Sequence, residues 1–477
     1  MSIHLPFLLL LLGLIGCKPN TAHEDSTLED RISRIENGLQ SALQIKGDSV
    51  RKYNLEARLK DLNIPGLSIA VLKDGEIEWA KGYGMADSSE NRPVTSETLF
   101  LAGSISKPVA ATRAHQLAES GTISLDTNVN HYLQSWQLPE NEYTLVEKVN
   151  TRRILNHTAG LTVWGFPGYD QGDTIPSLPE VLDGLGNTDS ARVYKEPGES
   201  WQYSGGGYTI MQLMMEDLDS RSFPDQMQEE VLNPLGMTKS TYENPLPDHY
   251  HGIAATGYRA NGTEVEGKWP IYPEMAAAGL WTTPSQLLLW AKEIQSIQQN
   301  QKDGLLKVAT VNEMLEAGLG GWGLGPSIED DYYGHGGADE GFRANLKIWK
   351  DQSIAVVIMV NSDNGSIISE VLLSLAAEYD LAGLSPDIKE VANLNPEQLS
   401  LYAGDYEFEN GDLVKFQVQE NGLLISADFL EQDIFILPES DSLFFDTEDG
   451  QPFNFSLEEG QVTGFSVASY TARRLIN

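Results

Sequence analysis

The stretch Gly103-Ser104-Ile105-Ser106-Lys107-Pro108 opens a helical pattern that continues to Glu119. Its serine and lysine are three residues apart, so on the first turn of a helix both side chains lie on one face. In a pocket that strips water from the amine, a lysine so placed accepts the serine proton and frees the oxygen to attack a carbonyl. Pro108 does not oppose the helix, because first-turn N–H groups have no intrahelical acceptor in any case. The helix N-terminus adds a modest favourable field for developing negative charge. Alone, S-x-x-K is a common pattern. Ser49-Val50-Arg51-Lys52 also matches, in a charged stretch with no second motif behind it. For an isolated match the ordinary reading is a capping serine beside a solvent-facing lysine.

Two distant stretches lift the match above that level. In Pro197-Gly198-Glu199-Ser200-Trp201-Gln202-Tyr203-Ser204-Gly205-Gly206-Gly207-Tyr208, the glycine cluster after Tyr203 lets backbone approach a site closely. A phenol held there near Lys107 is a credible base, although a single buried tyrosine more often just finds a hydrogen-bond partner. In Gly334-His335-Gly336-Gly337-Ala338, followed by Gly341-Phe342 and a strand, small residues along a strand edge leave room for an acyl group. A backbone N–H in that stretch is expected to pair with that of Ser104 as an oxyanion hole, and such donors are each worth about 10²–10³ in rate.

Together and in this order the three stretches resemble the β-lactamase-related serine hydrolases: class C β-lactamases, serine DD-peptidases and the related esterases and D-amino-acid amidases. The pattern of that family runs S-x-x-K, then Y-x-N, then K-T-G or H-x-G. Ile154-Leu155-Asn156-His157-Thr158-Ala159-Gly160-Leu161 and Ala278-Gly279-Leu280-Trp281-Thr282-Thr283-Pro284 are similar to recurrent family segments, and the resemblance spans roughly 55 to 365. It implies an α+β fold, with an antiparallel sheet flanked by helices and a helical subdomain. It also implies Ser104, Lys107, Tyr203 and His335 as catalytic residues, the N–H groups of Ser104 and Ala338 as oxyanion hole, and Gly205, Gly336 and Gly337 against substrate. Two departures bear on substrate. Gly205 stands where the family has the Asn of Y-x-N, which removes an amide that contacts the acyl side chain. His335 stands where K-T-G has its lysine, so a substrate carboxylate meets an imidazole with a reference pKa near 6.5. Both point away from efficient β-lactam hydrolysis and toward an ester, amide or small-peptide acyl donor.

Around this centre the patterning predicts one sheet assembled from the two ends of a domain spanning 51–385. Leu67, Ile69 and Val71 alternate, Asp74-Gly75 makes a turn, and Ile77 and Trp79 resume the alternation as a hairpin. Phe342 to Trp349 and Ile354 to Val360 form a second strand pair, with mainly helical patterns in between, such as Pro108 to Glu119 and Ser285 to Ile297. Ahead of the domain, residues 17–50 read as a polar tether and an amphipathic helix, the latter from Leu28, Ile32, Ile35, Leu39 and Leu43. Residues 386–398 read as a linker containing Pro396. Beyond it, 399–477 alternates in strand rhythm, punctuated by Asn410-Gly411, Asn421-Gly422 and Asp449-Gly450, which predicts a small antiparallel β-barrel. It resembles the lipocalin-like domain often appended to these hydrolases.

The first residues suggest export. Leu5 to Ile15 is an apolar run too short to span a bilayer comfortably, and Leu14-Ile15-Gly16-Cys17 resembles a bacterial lipobox. This reads as a lipoprotein signal peptide over 1–16, with Cys17 lipidated and the protein held on a membrane in the periplasm or at the cell surface. Cys17 is the sole cysteine, so no intrachain disulfide forms. A formal net charge of -37 repels phosphate backbones, and nucleic acid is not expected as a partner. No HExxH or G-x-S-x-G occurs, and neither a metal nor a cofactor is implied. The rival expectation is a catalytically weak surface or cell-wall binding protein that keeps the pocket.

Overall fold

The computed structural model describes residues 27–430, 433–448, 450–468 and 470–475. Lipobox residue Cys17 and the signal segment lie outside the described residues. In chain order the strands outside the C-terminal domain are β1 (Leu43–Ile45), β2 (Gly66–Lys73), β3 (Glu76–Asp87), β4 (Arg92–Pro93), β5 (Phe100–Leu101), β6 (Trp281–Thr282), β7 (Ser327–Ile328), β8 (Tyr332–Asp339), β9 (Phe342–Trp349), β10 (Ile354–Val360) and β11 (Asp387–Lys389).

The main sheet is antiparallel, in the order β4-β3-β2-β10-β9-β8-β7. Asp74 and Gly75 both take positive φ, 51° and 79°, which is the backbone a tight β2–β3 turn requires. The centre of the sheet joins strands from opposite ends of the domain, with Ile69 paired to Ile358. Every residue of β10 is buried, and side chains alternate between two cores as strand geometry dictates. Leu72, Leu346, Val357 and Met359 face the larger core with the helices Ser106–Glu119 and Pro284–Asn300. Ile69, Val71, Val356 and Ile358 face a smaller core with the helices Leu28–Glu36, Leu55–Asp61 and Ile367–Tyr379. The fold is thus α+β, with an antiparallel sheet between helical layers.

The helix Ser106–Glu119 has eleven of its fourteen residues buried, so it is enclosed on nearly all sides and shows no amphipathic stripe. The helix at the N-terminal end of the described chain is shorter than the apolar spacing predicts. A capping box between Thr27 and Asp30 starts it, and it ends at Glu36. At Gly38 a Cβ would lie 2.6 Å from both Arg34 O and Ser374 Oγ, so the chain passes too close to its neighbours to continue as helix. Leu39 and Leu43 keep the apolar spacing but are buried from extended backbone, and β1 pairs in parallel with β11. The 386–398 segment is therefore ordered in part by sheet pairing, and it ends in the helical turn Pro396–Leu399.

Eight antiparallel strands from Gly404–Phe408 to Tyr470–Arg474 close into a barrel, with the first and last strands joined through Tyr406 and Arg474. Its interior is filled with side chains. Tyr406 and Phe416 are 5.0 Å apart between ring centroids, and Phe416 and Phe455 are 5.5 Å apart, both edge to face.

Candidate active site

The candidate nucleophile Ser104 lies in a single 3₁₀ turn, Gly103–Ile105, that leads into the helix Ser106–Glu119. Local chemistry fixes this turn. Gly103 has φ +53°, and a Cβ there would sit 2.5 Å from Ala338 N, so a glycine is needed to lay the turn against β8. Ser106 Oγ donates to Gly103 O at 2.6 Å and accepts from Leu280 N at 3.0 Å, and Tyr242 donates to Ser106 O at 2.7 Å. Ala102 N donates to Leu280 O at 2.9 Å, so the 278–284 segment singled out in the sequence is the brace behind the turn.

Lys107 Nζ lies 2.9 Å from Ser104 Oγ and 2.8 Å from Ala277 O, and the lysine is only 1% exposed. The carbonyl of Ala277 draws one N–H and aims the amine at the hydroxyl. Ser49-Val50-Arg51-Lys52 makes no such pair: Lys52 Nζ bonds to Gly38 O and Gln40 Oε1.

Tyr203 precedes the glycine-rich start of the helix Gly205–Leu218, whose Ser204 cap accepts from Gly207 N at 3.1 Å. Lys107 Nζ is 5.0 Å from the centroid of the Tyr203 ring. Among the described residues, no hydrogen bond joins the Tyr203 phenol to Ser104 or Lys107. Beneath the ring lies His157, with centroids 4.2 Å apart. Its Nδ1 accepts from Ser204 N at 3.1 Å, while its carbonyl accepts from Gln202 N at 2.7 Å. The 154–161 segment is thus the seat of Tyr203.

The β8 edge supplies the third wall. β7 covers only its first part, pairing at Tyr333 and Gly334. From His335 onward that edge packs on the Ser104 turn, and a Cβ on Gly337 would lie 2.0 Å from Ala102 O. Gly336 has open space, with nothing nearer than 4.0 Å to a Cβ. Ser104, Tyr203, His335, Ala338, Arg343 and Trp322 line one open groove of about 510 Å³, which also reaches Gly336 and Gly337. The sequence-derived residues therefore converge. Gly205 does not line this groove: the space beside it is taken by Phe166, whose ring would be 2.8 Å from a Cβ, and by Trp164 O at 2.9 Å. The space a family asparagine would use is closed by this aromatic loop, so an amide at this position would have to displace it.

His335 is buried in the wall of the groove, 6% exposed. Burial, reinforced by Lys107, lowers its pKa to about 3, while its Nδ1 contacts Gly336 O at 2.5 Å. It is neutral at pH 7, with Nε2 buried and unpaired. Burial, and then Lys107 and His335, also hold His157 well below the ordinary imidazole range. The unfolded chain takes up a proton at each near pH 6.5, and the folded chain does not. Stability is therefore present above pH 6.5 and is lost as pH falls from there toward about 3. Relative to His335→Asn, the wild type should lose about 1.4 kcal/mol per pH unit below 6.5, read as the gap between their urea midpoints from pH 6.5 to 5.

The residues missed in the sequence are those without a motif. Ala277 acts through its carbonyl, which any residue carries, and Trp322 belongs to none of the three stretches. His157 was inside a quoted segment, but nothing in its spacing marked it as a support for Tyr203.

The beta-lactamase family model matches residues 52–371, two thirds of the chain. The chain belongs to the beta-lactamase family. Penicillin-binding protein 4* of Bacillus subtilis (strain 168) is 23% identical over 426 residues, covering 83% of this chain and 91% of that protein. Penicillin-binding protein 4 of Amycolatopsis lactamdurans is 25% identical over 378 residues, covering 73% and 94%. Among solved structures, the octameric penicillin-binding protein homologue from Pyrococcus abyssi superposes with TM-score 0.61 at 20% identity, covering 87% of this chain and 97% of that one, a likeness of fold. Membership of the beta-lactamase family brings serine acyl-transfer or hydrolase chemistry to this scaffold. Among the described residues no helix is long and apolar enough to cross a membrane.

Proposed function

We propose that this member of the beta-lactamase family is a serine hydrolase that forms an acyl-enzyme on Ser104 with an ester, amide or D-amino-acid-containing peptide. The observation that carries the reading is the 2.9 Å contact between a buried Lys107 Nζ and Ser104 Oγ. In the first step Lys107 takes the Ser104 proton while Oγ bonds to the substrate carbonyl carbon. The oxyanion accepts the N–H groups of Ser104 and Ala338. As the tetrahedral species collapses, the proton passes to the leaving oxygen or nitrogen, with Tyr203 assisting, and the leaving group departs. Water then adds to the ester, and Ser104 regains its proton as the acid is released.

Penicillin-type recognition has weak support in this groove. A neutral His335 offers no positive charge to a carboxylate, and Phe166 and Trp164 occupy the space of the usual amide. These features favour the ester, amide or peptide reading, and they are also what a weakly catalytic binding protein would carry. Export on a lipidated Cys17, bringing the groove to periplasmic or surface acyl donors, completes the proposal.

Intact mass after incubation with a fluorophosphonate, p-nitrophenyl esters, D-amino-acid amides and nitrocefin tests it. The expected result is one adduct on the peptide containing Ser104, with turnover of an ester or amide. Adducts elsewhere, or none, would overturn the nucleophile. A stable adduct without turnover would favour the binding protein.

A further inference from the structure

The groove that holds Ser104 does not stop at β8. It continues over β9 to the helix Ile367–Tyr379, where Ile368 and Leu372 form an apolar wall. Its charge is unlike that of the whole molecule. The chain carries 69 Asp and Glu against 32 Lys and Arg, yet among the described residues the groove lining contains no Asp or Glu and one Lys or Arg, Arg343. Arg343 lies on β9 directly across the ladder from Ala338. A Cβ on Gly365 would be 2.9 Å from Arg343 Cγ and 3.0 Å from its Cβ, so the arginine stem is bedded on bare backbone. The guanidinium is then tied down at one nitrogen. Nη1 donates to Asp339 O at 2.7 Å and to Phe342 O at 2.8 Å, and pairs with Asp363 Oδ1 at 3.0 Å. Among the described residues Nε and Nη2 make no hydrogen bond. That free edge is the one that grips carboxylates elsewhere in this chain. Arg58 gives Nε and Nη2 to Glu370 at 2.9 and 2.7 Å, and Arg152 gives the same two nitrogens to Asp126 at 2.6 and 3.0 Å. Two parallel N–H donors match the two oxygens of one carboxylate, and a fork already fixed in place loses little freedom on binding.

Resting on the serine-hydrolase reading above, we propose that Arg343 is a substrate-binding residue that takes a carboxylate of the acyl donor through Nε and Nη2, so that anionic donors, such as a peptide with a free C-terminus, are preferred. The apolar wall of Ile368 and Leu372 suits a small aliphatic group beside that carboxylate. This is not the place where the lysine of K-T-G would stand. His335 lies across from Leu346, three residues before Ala338 and so roughly 10 Å further along β8. Asp363 meets the guanidinium at Nη1 and shares its Oδ1 with Gly341 N at 2.9 Å, so it orients the arginine and leaves the fork open. The net charge of -37 works against any arriving anion. At physiological salt that field is screened beyond about 8 Å, and the contact at Arg343 decides.

The test is kcat/KM of the full-length protein for two matched pairs of donors. N-acetyl-D-alanyl-D-alanine against its C-terminal carboxamide places the carboxylate on the leaving portion, and p-nitrophenyl glutarate against its methyl ester places it on the acyl portion. Wild type should prefer the acid of one pair by at least about tenfold, the lower scale for a hydrogen bond to a charged group. The pair that responds shows which portion lies over β9. Arg343→Gln should bring that ratio close to one. A merely structural arginine would slow acid and neutral donor alike, so a ratio kept in Arg343→Gln would overturn the proposal. Equal rates within both pairs in wild type would overturn it without any variant. If no donor turns over, fluorophosphonate labelling reports on Ser104 by itself, and its absence sinks the nucleophile assignment alone. Calorimetric titration with the same two pairs then decides on Arg343. Equal affinities within both pairs end the proposal, and a tighter acid whose advantage Arg343→Gln removes sustains it.

Discussion

Lys107→Ala is expected to slow acylation of Ser104 by at least about 10²-fold, the lower scale for losing a positioned proton acceptor. The lysine is buried, bonded to Ser104 Oγ at 2.9 Å and to Ala277 O at 2.8 Å, so its amine is held on the hydroxyl it must deprotonate. Lys107→Met separates chemistry from packing, because it keeps the buried apolar stem and removes the amine. Both variants should lose activity alike, and only the alanine should also lower the thermal midpoint. Rates near wild type in Lys107→Met would contradict the proton role. Tyr203→Phe is expected to fall by a comparable factor. Its phenol bonds to neither Ser104 nor Lys107 in the free protein, so the loss should appear in turnover while the ring's seat on His157 is kept.

The second large effect concerns a residue with no functional group. Gly103→Ala places a methyl 2.5 Å from Ala338 N and 3.0 Å from Gly337 C, at φ +53°. Both the strain and the contact are backbone properties, so no rotamer relieves them. A non-glycine residue held in that region is destabilised by about 1–3 kcal/mol. The turn must lift from β8, separating the N–H of Ser104 from that of Ala338. A displacement near 1 Å is enough to reduce rate about 10²-fold. Stopped-flow acylation by a p-nitrophenyl ester, together with urea unfolding, measures both parts. A variant as active and as stable as wild type would mean that the turn does not need its close approach to β8.

What was legible in the sequence follows from how local each signal is. The hairpin β2–β3 announced itself through alternation and Asp74-Gly75, and the pairing of β2 with β10 followed from strand patterns at both ends of a helical stretch. Ser104 and Lys107 are three residues apart, so their contact is a property of one helical turn. The limits lie where tertiary contact overrides local pattern. Leu39 and Leu43 keep helical spacing although the helix has already ended at Glu36 and Gly38 runs close against Ser374. The closed space beside Gly205 depends on Phe166 and Trp164, from a loop whose sequence gives no hint of where it folds back. Asp339 sat beside the glycine motif, yet its burial exists only once β8 meets the nucleophile turn.

The pairing of Ile69 with Ile358 also sets the order in which the molecule can mature. A chain emerging from the ribosome holds Ser104 and Lys107 long before β8 and β10 have been made, so the central ladder and the oxyanion edge must wait for the far end of the domain. Such distant strand pairing is slow to form. Partial products that stop short of β8 should be chemically inert, and activity should arise late, in a single cooperative step.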